Sequence, residues 1–291
     1  MSSRLGRELS KLLSQSPPSS IHLSGLTLTA RAYACASLFT EIKDRKINLL
    51  IVCGDADQAT IFHQAFKTFL GLFSDATNVG NLIEYLPGWE TSPYRSINPN
   101  VKTKFRRLRA LYRIALGECS LVITDVRSLA QKTPPVERLV EASCNLAVGD
   151  FQERETLRQK FENLGYHLSD PVEDPGTYCF RGNILDFFSP YYPHPIRVEF
   201  LGDEIENIRF FNPSTQRTKP EILKSAVVVP SNEWKIGPDS SALARQRIKA
   251  YSDQYEIPKK IRDEIAQKIE AGIQEPSFAY LLPYFEEKPL E

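Results

Sequence analysis

Apolar positions in the first half of the chain follow two alternating rhythms. Short continuous runs, Ile47–Cys53, Leu82–Tyr85 and Leu121–Thr124, are separated by helically spaced stretches at Thr29–Ile42, Ala56–Leu70 and Val101–Leu116. Ile21–Leu23 adds a further short strand ahead of them. Apolar strands divided by helices predict a parallel sheet covered on both faces, a Rossmann-like α/β layer. A short amphipathic helix within Met1–Gln15 leads into it, and Ser16-Pro17-Pro18-Ser19-Ser20 breaks that helix and marks a hinge.

After Thr133-Pro134-Pro135 the rhythm changes. A polar helix at Glu153–Leu164 is followed by alternation with period two: Phe180, Ile184 and Phe188, then Ile196, Val198 and Phe200. Gly202-Asp203 supplies a tight turn into Ile205–Phe211. Three strands of this kind predict a small antiparallel sheet with one packed and one wet face. Taken as a single strand, Tyr178–Phe188 turns Phe180, Ile184 and Phe188 to the core. Cys179, Arg181, Asn183, Leu185 and Phe187 then share the outward face. An arginine between apolar neighbours suits an interface centre, and it equally suits an ordinary exposed strand.

The sheet is expected to end at Asn212-Pro213-Ser214. Beyond Thr218, a strand at Ala226–Val229 and a helical tract to Gly272 resume α/β character. The expected organisation is therefore an α/β segment 1–131, an inserted α+β domain 132–217 on the antiparallel sheet, and a return segment 218–291.

Charge narrows the function classes. Among 291 residues, lysine plus arginine equals aspartate plus glutamate at 36 each, so no whole-chain field draws nucleic acid or anionic membrane. The five cysteines, Cys35, Cys53, Cys119, Cys144 and Cys179, form no Cys-x-x-Cys pair, which argues against a disulfide framework or structural zinc and fits a cytoplasmic location. Leu49–Cys53, the longest apolar run, is far short of the ~20 residues that cross a bilayer, so no membrane partner is expected.

A catalytic site is hard to find. A phosphate-binding loop needs convergent glycines and a Gly-Lys-Ser/Thr ending. The corresponding turn here, Ser24-Gly25-Leu26-Thr27-Leu28-Thr29-Ala30-Arg31, keeps one glycine and places leucines where phosphates would sit. His22, His63, His167 and His194 show no metal-ligand spacing, and adjacent carboxylates such as Asp203-Glu204 point to opposite faces of a strand. The expectation is no catalytic residue, metal or cofactor. Lys102, Arg106, Arg109 and Arg113 fall on one stripe of a helix, either a phosphate-contacting surface or the solvated face of an amphipathic helix.

One block is more specific. Phe180-Arg181-Gly182-x-Ile184-x-Asp186-x-Phe188, then Arg197-Val198-Glu199-Phe200-x-Gly202-Asp203-Glu204-Ile205-x-x-Ile208, resembles the second domain of the excision-repair helicase subunit UvrB. It resembles still more closely the equivalent domain of the transcription-repair coupling factor family. Leu86–Tyr94 also resembles that family. UvrB follows this region with a long DNA-clamping hairpin, for which Arg95–Asn100 is too short. UvrB also keeps the phosphate loop that coupling factors lack here.

The resemblance implies a degenerate P-loop (RecA-like) layer and a domain that docks UvrA. It names Arg181 as a contact, with Leu185, Asn183, Cys179 and Phe187 beside it. UvrB carries further arginines at the place of Cys179 and near Leu168, where the nearest basic candidate here is His167. The aromatic tail Phe278–Phe285 resembles a segment beyond which the family continues, so an N-terminal portion of a longer protein is expected. In the family, C-terminal motor domains engage RNA polymerase and double-stranded DNA. The expected function is a non-catalytic adaptor recruiting UvrA to stalled transcription complexes. The alternatives are a UvrB-like helicase half with a degenerate nucleotide site, or a DNA-binding module.

Overall fold

Two compact units emerge in the computed structural model, Met1–Gly88 with Leu116–Gln131, and Trp89–Ala115 with Lys132–Glu291. The structure describes residues 3–14, 22–44, 48–73, 80–89, 100–233, 238–271, 281 and 284. The expected hinge at Ser16–Ser20, most of the Leu86–Tyr94 and Arg95–Asn100 segments, and nearly all of the aromatic tail lie outside the described residues.

In the first unit, helix Arg4–Leu13 starts where the Ser3 hydroxyl accepts a hydrogen bond from Gly6 N at 3.0 Å. It lies against helix Leu28–Ile42 so closely that a Cβ on Gly6 would collide with the Ser37 carbonyl oxygen. Leu9 packs there with Ala34, Leu38 and Ile42. Strands β1 (Leu49–Cys53), β2 (Ile83–Tyr85) and β3 (Leu121–Asp125) form a parallel sheet in the order β1-β3-β2. Phe39, Phe62 and Phe66, from helices Leu28–Ile42 and Ala56–Phe73, pack with Ile83, Leu121 and Ile123.

Two expectations change. His22–Ser24 is not a strand. The cover on both faces is incomplete, because Leu50 and Val52 of β1 alternate outward and are about half exposed. An edge strand has neighbours on one side only, so an apolar run there need not be buried throughout.

In the second unit, β4 (Cys144–Ala147), β5 (His167–Leu168), β6 (Thr177–Arg181), β7 (Ile184–Phe187), β8 (Ile196–Leu201), β9 (Glu204–Phe211), β10 (Thr218–Ile222) and β11 (Ser225–Val228) form two sheets. The larger has the order β10-β9-β8-β7-β6-β5, and β11 pairs antiparallel with β4 in the smaller. Helix Arg154–Asn163 buries Leu157 and Phe161 in a core with Tyr178, Leu185, Phe187 and Ile196. The Phe161 ring stacks 5.2 Å from Tyr178.

The sheet therefore continues past residue 217, since β10 pairs with β9, although the register shifts between Thr218 and Ile222. The strand expected to resume the α/β layer instead joins β4. Helices Pro238–Gln254 and Lys259–Glu270 pack on each other, with Ile248, Ile265 and Ile269 buried. Helix Val101–Ala115 also belongs to this unit: Arg107 is fully buried and its Nε donates to Glu233 Oε1 at 2.8 Å. The Tyr112 hydroxyl donates to Ser143 Oγ at 2.8 Å.

Candidate docking face

The predicted strand Tyr178–Phe188 is a hairpin. Gly182 takes φ +57 and begins a two-residue turn with Asn183, a conformation that side-chain-bearing residues rarely adopt. The turn resets the alternation. Register pairs Tyr178 with Phe187, Cys179 with Asp186, Phe180 with Leu185, and Arg181 with Ile184. Directly opposed residues share a face. Leu185 and Phe187 therefore join Tyr178 in the main core and are fully buried; neither faces solvent. Ile184 moves to the outward face with Arg181. Cys179 is on that face as expected, yet buried, because Val172, Phe188 and Phe211 pack over it.

What remains of the outward face is organised around a carboxylate. The Asp186 side chain is 0% exposed and accepts from Arg197 Nε at 2.7 Å and Nη2 at 2.8 Å. Those bonds hold the Arg197 guanidinium still further above its ordinary pKa. Arg197 also lies 4.8 Å over the Phe211 ring. Arg181 closes the group: Nη2 donates to Asp186 Oδ2, while Nη1 donates to Asp170 Oδ1 at 3.2 Å. The Arg181 side chain is 38% exposed and that of Asp170 54%.

Asn183 sits exposed in the hairpin turn, where its Oδ1 accepts from Arg154 Nη2 at 3.0 Å; Arg154 Nη1 donates to Gly182 O at 2.7 Å. His167 and Leu168 form the short outer strand β5, both exposed, at the edge beside β6. Asp170, Arg197 and Arg154 escaped the sequence reading. For Arg197 the one signal was a carboxylate, Asp186, inside an otherwise apolar strand, since a buried charge requires a partner.

The basic stripe does not hold together. Lys102 and Arg106 are exposed, but Arg109 is half-buried and Arg113 buried. The helix sinks into its unit along its later turns and on more than one side, as buried Arg107 also shows. On the same helix, burial lowers the Lys104 pKa to about 8, with the Glu233 carboxylate opposing that shift. In the turn read as a degenerate phosphate loop, Arg31 Nε donates to Leu26 O at 3.1 Å, and Thr27 caps the following helix. Among the described residues, no three of His, Cys, Asp or Glu gather to hold a metal.

Residues 144–234 match the UvrB interaction domain. The segment belongs to that domain family. The matched residues of the UvrB interaction domain begin at the first residue of β4 and run just past Glu233. They include both sheets of this unit and the whole Asp170–Arg181–Asp186–Arg197 group. Across a longer stretch the chain is similar to transcription-repair-coupling factors. It is 30% identical over 272 residues to that of Myxococcus xanthus, covering 93% of this chain and 22% of the relative. Identity is 28% over 258 residues with the Escherichia coli strain K12 protein, covering 88% and 21%. It is 35% over 229 residues with the Mycobacterium tuberculosis protein, covering 76% and 18%. The chain thus spans about a fifth of the length of these relatives. No helix among the described residues is long and apolar enough to cross a membrane.

Proposed function

We propose that this chain is a non-catalytic adaptor in transcription-coupled repair that recruits UvrA through the outward face of its UvrB interaction domain, with Arg181 as the exposed cation. The observation that carries this reading is the uneven bonding of Arg181 within the matched domain. One bond anchors it to buried Asp186, and the other holds an Asp170 carboxylate that is half in water. An acidic group on a partner can replace Asp170 at Nη1 without leaving a buried charge unpaired, so exchange costs little. The guanidinium is held in place by Asp186 before the partner arrives, which reduces the ordering cost of binding.

On the same reading, the parallel layer is a Rossmann-like remnant of a nucleotide-binding domain. Leu26 and Leu28 occupy the phosphate turn and Arg31 is engaged by the backbone, so the chain neither binds nor hydrolyses ATP. RNA polymerase and double-stranded DNA would be met by other parts of a coupling factor.

The test is a titration of wild type and Arg181→Gln against UvrA from the same organism, with thermal melts alongside. Losing an interface arginine costs ~2 kcal/mol, or about thirtyfold in affinity. Arg181→Glu is the poorer variant, since it sets a further carboxylate beside buried Asp186. Equal affinities for wild type and Arg181→Gln would place the docking surface elsewhere.

A further inference from the structure

The outward face does not stop at Arg181. Register carries it across the sheet: Arg181 opposes Ile184, Ile184 opposes Glu199, and Leu201, two residues beyond Glu199 on the same face, opposes Glu204. An isolated bridge then pairs Glu204 with Phe151. Opposed side chains share a face, so Leu201 and Phe151 flank Glu204 on the side that bears Arg181. Both are far more exposed than large apolar residues in a strand ordinarily are, Phe151 at 74% and Leu201 at 68%. Glu206, which has no opposite residue where the β8–β9 register shifts, is exposed beside them. Among the described residues neither Glu204 nor Glu206 has an ion-pair partner.

Two exposed apolar side chains around a bare carboxylate are costly to leave in water and unsuited to self-association, because like carboxylates would face each other. We infer that Phe151 and Leu201 form a second anchor of the docking face, seating an apolar side chain of the protein partner that is flanked by lysine or arginine. Charge complementarity selects that occupant: the carboxylates at this end favour bases, whereas Arg181 at the other end favours an acid in place of Asp170. Measured from the Arg181 strand, Leu201 lies two and Phe151 four strand spacings of about 4.8 Å away, roughly 10 and 19 Å. That span fits a single interface of ordinary size, on the order of 800 Å² per partner. The partner surface is thereby specified as acidic at one end and basic-apolar at the other. Two poles of opposite sign also fix the direction in which it docks.

This inference rests on the proposed recruitment of UvrA, and the experiment separates the two. Wild type, Arg181→Gln, the double variant Phe151→Ser with Leu201→Ser, and Glu204→Lys are each titrated against UvrA from the same organism. Melting is followed in parallel, because exposed positions should leave it unchanged. The expected result is at least a tenfold loss for the double variant, a loss for Glu204→Lys that shrinks as salt rises, and unchanged melting temperatures. If Arg181→Gln weakens binding but the double variant and Glu204→Lys stay within threefold of wild type, the second anchor is refuted and the recruitment reading stands. If wild type does not bind, both fall.

Discussion

The parallel layer of the first unit and the antiparallel sheet of the second use similar apolar runs, but with different tolerance. In the layer, strands such as Leu121–Asp125 are apolar on successive residues, so a shift of one position leaves an apolar side chain facing the core. In the antiparallel sheet each face has its own chemistry. Moving the alternation by one exchanges Leu185 for Ile184 and turns the Asp186 carboxylate into the apolar core. One region depends on composition, the other on register.

The largest expected effect tests the unit built on the antiparallel sheet. Arg107→Ala should cost about 3–5 kcal/mol in denaturant unfolding, because it removes the bonded ion-pair partner of the fully buried Glu233 carboxylate. A cost under ~1 kcal/mol would show that the pair is dispensable. The hairpin parity is tested by Leu185→Ala, expected to cost about 2–5 kcal/mol, against Ile184→Ala at about 1 kcal/mol or less. The reverse order would restore a single strand through Gly182.

Lys104 offers a pH test within the same unit. Its folded pKa, lowered by burial to about 8, lies below the ordinary 10.5. Between those values the unfolded chain holds a proton that the folded one has released. Stability therefore rises with pH across that window relative to Lys104→Met, and the difference is fully developed only above it. Parallel pH profiles for the two proteins would contradict this.

The smallest effects belong to exposed positions. Leu50→Ser on β1 should change stability by no more than ~0.5 kcal/mol; a loss near that of Leu185→Ala would mean that the outer side of β1 is covered in solution. With only Lys102 and Arg106 of the stripe exposed, any DNA affinity should be weak. Its logarithm should fall with log salt at a slope no steeper than about −2, and tight binding at physiological salt would reinstate the DNA-binding alternative.

Much of the architecture was legible. Helix Ala56–Phe73, strand Leu121–Asp125 and the turn at Gly202 follow from periodicity and glycine placement. The site was legible at Arg181, which the resemblance singled out, and misread around it. Gly182-Asn183 looks like two more residues of an alternating strand unless the glycine is credited with a turn. Arg107 shows the second limit: its partner is 126 residues away, and no local pattern announces a contact at that separation. Arg113 looks solvated on a helical wheel because a wheel carries no information about depth.

Strand β10, Thr218–Ile222, has a consequence for how this sheet meets other chains. It carries Pro220 in its middle, between Lys219 and Glu221, and its pairing with β9 is irregular. Proline removes a backbone donor, and charges resist an incoming strand. At the far edge, β5 offers only His167 and Leu168. Both borders are poor templates for an incoming strand, β10 by its proline and charges and β5 by its brevity. Strand addition is thus disfavoured at both ends of this sheet, and the proposed docking face is its broad side, where recognition is decided by side chains.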